Sequence, residues 1–137
     1  MRSLAAQSTV ILVALGLLAG CASKDDAVVD PNVFPKNYKR EISFTLQTTL
    51  EDPTNIRDAF ITDPTLTQVN KDQRYAVCVR FNSRDLNRNY KGSTDRIAYF
   101  YGGELNQLVE ATPEQCGKAA YKPFPELEKL CQAKSCR

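Results

Sequence analysis

Gln73-Arg74-Tyr75-Ala76-Val77-Cys78-Val79-Arg80-Phe81 is the stretch that decides the fold. Successive side chains in a strand point to opposite faces. Tyr75, Val77, Val79 and Phe81 therefore share one face, and Arg74, Ala76, Cys78 and Arg80 share the other. β-Branched and aromatic residues suit a pleated, half-buried surface, so the stretch reads as the central strand of a sheet.

Working outward, Arg96–Tyr101 and Glu104–Ala111 flank Gly102-Gly103, a two-residue link that suits the positive φ angles of a hairpin. Ile56–Thr62 reads as a further strand, closed by Asp63-Pro64. Asn82 to Asp95 then becomes a long loop of the kind that carries functional contacts. Before the sheet, Lys36–Glu51 fits two periods. Tyr38, Ile42, Leu46 and Leu50 form a helical stripe, while Ile42, Phe44, Leu46, Thr48 and Leu50 alternate like a strand. Its length favours a helix, Pro35 suits a first helical position, and Asp52-Pro53 ends the segment. After the sheet, Thr112-Pro113-Glu114-Gln115 has a capping-box pattern opening a short helix. Pro123-Phe124-Pro125 interrupts the chain, and Glu126–Cys131 reads as one more short helix. The expected architecture is α+β: a helix packed on a four-stranded antiparallel meander, with short C-terminal helices and disulfide staples.

The first residues carry a separate message. Arg2 precedes an apolar run from Thr9 to Ala19, and Leu18-Ala19-Gly20 leads directly into Cys21. The run is shorter than the ~20 apolar residues of a membrane-spanning helix and has the layout of a secretory signal. The segment closely resembles the lipobox of small bacterial lipoproteins. That resemblance implies cleavage before Cys21, diacylglycerol on its thiol and acylation of the new amine. Two or more acyl chains give stable anchoring where one gives only marginal binding. It implies residues 1–20 as signal peptide. The two prolines and three aspartates of residues 22–35 then make 21–35 a lipidated, extended tether, with 36–137 a small folded domain. The alternative is that Val33 and Phe34 dock on the domain. Ala22, where aspartate would favour the inner membrane, implies the outer membrane, with the domain facing the periplasm.

Of the 137 residues, 42% are hydrophobic and 25% charged, enough for a packed core in one domain. The formal net charge of +2 gives no strong pull toward nucleic acid. There is no histidine, which removes Ser-His-Asp and Cys-His catalysis and His-ligated zinc. Among the five cysteines, setting Cys21 aside leaves Cys78, Cys116, Cys131 and Cys136. An even number in an exported chain implies two disulfides, for which three connectivities exist. Pairing Cys78 with Cys116 and Cys131 with Cys136 is the favoured one. The rival, a four-thiolate metal site, lacks the paired ligand spacing at Cys78 and Cys116.

Candidate ligand-binding residues lie in the 82–95 loop. Asp85, Asn87 and Asn89 have the spacing of a calcium loop but lack its glycine and terminal glutamate. Arg84, Arg88 and Lys91, with Tyr90 among them, form a basic patch suited to an anionic envelope ligand. Tyr99, Phe100, Tyr101 and Phe81 suit a buried sheet face better than a groove. Glu104 with Glu110, or Asp58 with Asp63, are nominal carboxylate pairs. No phosphate-cradling loop, dinucleotide glycine pattern or serine-nucleophile elbow occurs. No cofactor or metal is expected. The function expected is that of an envelope-anchored structural or protein-interaction module without enzymatic activity, partnered by another envelope protein. The alternative is a binding module for an anionic ligand or calcium, using Arg84, Asp85, Arg88 and Lys91.

Overall fold

The structure, a computed structural model, describes residues 28–131 and Cys136. The expected signal peptide, Cys21 and the first part of the expected tether lie outside the described residues. The element order is α1 (Tyr38–Thr49), β1 (Asp52–Ile61), β2 (Thr65–Val69), β3 (Asp72–Arg84), β4 (Tyr90–Tyr101), β5 (Glu104–Glu110), α2 (Pro113–Cys116), β6 (Lys122–Pro123) and α3 (Pro125–Glu128). No described helix is long and apolar enough to cross a membrane.

The expected helix on a four-stranded meander is not what forms. The chain builds a six-stranded sheet in the order β5-β4-β3-β1-β6, with β2 also paired to β3, and every pairing is antiparallel. Strand dominates, and α2 and α3 are single turns of four residues. Two strands account for the difference. β2, Thr-Leu-Thr-Gln-Val, is exposed along nearly its whole length, so it has no apolar alternation to reveal it. It is defined by its ladder to β3, from Thr65 opposite Ala76 to Val69 opposite Asp72. β6 has only two residues, laid against Phe60 and Ile61 of β1. The Asn82–Asp95 segment is also mostly strand: β3 continues to Arg84 and β4 starts at Tyr90.

β1 and β2 occupy the same side of β3 as one interrupted strand. Pro64 offers no backbone donor. At the interruption the Thr62 hydroxyl accepts the Cys78 N–H at 2.9 Å, and the Thr62 N–H donates to the Cys78 carbonyl at 3.0 Å. Within β1, Ile56, Ala59 and Ile61 all face the core, although Ile56 and Ile61 have opposite parity. Asp58 resolves this with a left-handed backbone, φ 54°, at a register shift that resets the alternation.

The first sheet face carries the main core. Val77, Val79, Phe81, Ala98, Phe100 and the three β1 residues meet Ile42 and Leu46 of α1, Phe124, and Leu127 of α3. Ile42 and Leu46 are fully buried and Phe44 is two-thirds exposed (66%), so the four-residue helical stripe won over strand alternation. Thr48 and Thr49 hydroxyls donate to carbonyls one turn back, which accommodates them in the helix. Phe124 plugs the far edge: its N–H donates to the Ala59 carbonyl, and Glu128 accepts the Ala59 N–H.

The second face is built from smaller residues: Ala76, Cys78 and Ile97, with Cys116 of α2 above them. Thr112 and Gln115 close the capping box that starts α2. The disulfides are Cys78–Cys116 and Cys131–Cys136. In the chain-entropy relation, cross-links with sequence separations of 38 and 5 contribute about 4 and about 2 kcal/mol. Replacing Cys78 and Cys116 together by alanine should therefore lower the melting temperature by roughly twice as much as replacing Cys131 and Cys136. Equal losses in a thermal melt would show that the long loop is not what the first bond restrains.

Candidate functional site

The basic loop proposed from sequence is a hairpin end in which Arg84, Asp85 and Lys91 are already engaged. Arg84 reaches across to β1, 2.9 Å from the Asp52 carboxylate and 2.7 Å from the Thr54 hydroxyl. Burial pushes the Asp52 carboxyl up, but hydrogen bonds from Thr54 and the Arg84 charge outweigh it and hold it below its ordinary range. Lys91 sits 2.6 Å from Glu51, and its hydrogen bond and charge lower the Glu51 carboxyl. Asp85 accepts the backbone N–H groups of Asn87 and Asn89 at 2.8 and 2.9 Å. This is an Asx turn closing its own loop. Arg88 has a left-handed backbone, φ 65°, and is exposed. Arg84 and Arg88 line one open cleft of about 470 Å³ with Glu51, Asp52 and Thr54, whereas Asp85 and Lys91 are not part of its lining. Arg57 stacks over the Tyr90 ring at 3.3 Å, and the Tyr90 hydroxyl donates to the Asn55 carbonyl.

The aromatic set is divided. Phe81 and Phe100 are in the main core, Tyr99 faces the second side, and Tyr101 is exposed under the Arg74 guanidinium. Glu104 and Glu110 stand at opposite ends of β5, roughly 20 Å apart at strand rise. Asp63 pairs with Lys122, away from the Asp58 bulge. Among the described residues no group of three or more histidine, cysteine, aspartate or glutamate side chains could hold a metal.

A more enclosed and more apolar concavity lies on the second face. A hollow of about 460 Å³ opens between β2, the middle of β3 and β4, and the segment after α2. Its floor is Ala76, Cys78 and Ile97, and Ala119 forms a wall. Thr65, Thr67, Gln68, Tyr99 and Gln115 supply hydroxyls and amides around the rim. Small side chains on β3 create the space, and the Cys78–Cys116 bond fixes α2 at its border. The Gln115 amide donates to the Tyr99 hydroxyl at 3.0 Å. Lys122 and Asp63 pair at the mouth, and the Asp63 carboxylate raises the lysine's pKa. An apolar floor under hydroxyl and amide groups suits an aliphatic side chain attached to a hydrogen-bonding backbone. Neither charge balance nor cysteine spacing announces this hollow. The available signal was the pair of small residues on the second face of the central strand, opposite Ala119-Ala120.

Beside the hollow, Arg80 and Asp95 form a two-pronged ion pair at 2.6 and 2.8 Å, with the Arg80 guanidinium 4.4 Å over the Tyr121 ring. Burial, then the Asp95 charge, pushes the Tyr121 hydroxyl up to about 12. Hydrogen bonding from Arg80 holds the Asp95 carboxyl below its ordinary range despite burial. A depressed folded pKa adds stability above the unfolded value, about 3.9 for aspartate, that is lost as pH falls through the folded value.

No protein-family model matches the chain, and no curated protein or solved structure does either.

Asp95→Asn should lower the melting temperature at neutral pH. The gap to the parent should close in acid, below the ordinary aspartate pKa of about 3.9. A gap that persists unchanged through that range would show that the ion pair does not provide the stabilisation.

Proposed function

We propose that the protein is a lipid-anchored envelope protein that binds another envelope protein through the open edge of β2 and the adjacent hollow. The supporting observation is their juxtaposition. Among the described residues β2 has β3 on one side and no strand on the other. Its Thr65 and Thr67 also border the hollow. An extended segment added to a sheet edge gains main-chain hydrogen bonds, and its alternate side chains enter neighbouring pockets. Free strand edges are ordinarily shielded by shortness, charge or proline. β2 is short and follows Pro64, but its five residues carry no charge. Anchoring rests on the Leu18-Ala19-Gly20-Cys21 pattern, with the lipidated Cys21 holding the domain to the outer membrane on its periplasmic side. The reading is one of binding without catalysis: the nominal carboxylate pairs are far apart or otherwise engaged. The hairpin cations Arg84 and Lys91 are paired with Asp52 and Glu51, which disfavours an anionic ligand there.

A photo-crosslinking residue placed in the host at Thr65 or Thr67 should capture one partner, and at Leu86 it should capture none. Peptide mapping should find the two attachment points two residues apart in that partner, as strand addition requires. Filling the hollow with Ala119→Phe should abolish both adducts, and Cys21→Ala should release the protein from membranes. Capture from Leu86 alone, or attachment points without that spacing, would overturn the β2 reading.

A further inference from the structure

The end of the sheet opposite the Leu86 loop has a feature the binding proposal does not use. The segment Val28–Pro35 lies against the β4–β5 turn. Gly102 donates its N–H to the Pro31 carbonyl at 3.2 Å, Phe34 packs edge-on to Tyr75 at 5.4 Å, and Pro35 is fully buried. Gly102 and Gly103 have φ of 60° and 85°, as a two-residue hairpin turn requires. A Cβ on Gly102 would come within 2.7 Å of the Val29 side chain, and one on Gly103 within 3.0 Å of Val33. The described part of the expected tether, residues 28–35, is therefore seated on the domain, as in the alternative in which Val33 and Phe34 dock on it.

This seating leaves an apolar surface. Val28, Val29, Val33, Phe34 and Tyr101 are between 42% and 96% exposed. Of the nearby charges, Asp72 pairs with Arg74, which stacks on Tyr101, and Asp30 accepts the Asn32 N–H, while Lys71 and Glu104 at the same end are exposed. Scattered exposed apolar residues are ordinary, but a group of this kind at one end marks a contact surface.

We infer that this end rests in the interfacial layer of the lipid bilayer, with Phe34 and Tyr101 at headgroup level. The inference rests on lipidation of Cys21. From Cys21 to Val28 the chain spans at most ~25 Å even fully extended. β3 runs from Asp72 to Arg84, about 40 Å at strand rise. A short anchor that joins the domain at the Val28 end holds that end within ~25 Å of the membrane in every orientation, which favours contact there over contact at the Leu86 end. The Tyr101 ring with its polar tip favours the interface, and Phe34 at the same end adds apolar area. The five apolar side chains dominate this end, and its exposed Lys71 and Glu104 are of opposite sign, so the contact depends on apolar area and not on anionic lipid.

The chain contains no tryptophan, so a single introduced one reports its own surroundings. Full-length lipidated protein carrying Phe34→Trp, Tyr101→Trp or Leu86→Trp would be reconstituted in phosphatidylcholine vesicles with brominated acyl chains. The first two variants should show blue-shifted emission and lose intensity to bromine, with little change in high salt; Leu86→Trp should show neither effect. Vesicle flotation monitors the anchor separately. Protein that floats but is unquenched at residues 34 and 101, or equally quenched at 86, overturns the orientation while lipidation stands. A blue shift that grows with protein concentration and ignores bromine assigns the surface to a second copy and also overturns it. Protein that fails to float removes both the anchor and this inference.

Discussion

The central strand must be covered on both faces, and the rest of the molecule follows from that. From Ala76 to Val79 every residue of β3 is buried, whichever way it points. The two faces are covered differently. The first has large apolar side chains and a helix, so burial stabilises it in the usual way. The second offers Ala76, Cys78 and Ile97 to a helix of one turn. Four residues cannot supply an extended apolar stripe, and helices this short are marginal by themselves. The Cys78–Cys116 bond makes the cover covalent where its apolar area is small. Small residues under a fixed lid also leave the hollow that forms the candidate site.

What could be read from the sequence was what has a period. Tyr75–Phe81 alternates because its two faces differ in size. Tyr38, Ile42, Leu46 and Leu50 repeat every four residues because one helical stripe enters the core. The capping box is local chemistry and needs no tertiary context. The six-stranded architecture was not legible because its additional strands lack such signals. β2 buries no complete face, so pairing alone defines it. β6 is two residues placed by the buried Phe124 that follows. β1 conceals its alternation at Asp58, where a backbone bulge inverts the parity of everything after it.

The same contrast applies to the candidate sites. Arg84 and Lys91 stand close in sequence to other cations, which is what made them a basic patch. Their acids, Asp52 and Glu51, lie where α1 gives way to β1, and only the β1–β3 ladder brings them alongside. A run of charge says little about free charge when its partners come from another strand. The hollow has the opposite problem. It is defined by missing volume at Ala76, Cys78 and Ala119, and absent volume has no signature in a list of residues.

The two surfaces constrain each other. Tyr75 pairs with Phe100, so the start of β3 and the Gly102–Gly103 turn share one end of the sheet. β2 ends at the same place, because Val69 pairs with Asp72. Its five residues extend only about 17 Å along the sheet. If the Val28–Tyr101 end lies on the bilayer, the open edge of β2 starts near the headgroups and rises within one strand length of them. A segment that pairs with it must already be close to the membrane surface. That geometry selects a juxtamembrane stretch of another envelope protein over a freely diffusing one, since shared confinement to the surface raises the effective concentration of two anchored partners. A strand edge too short to bind tightly in solution can then be sufficient.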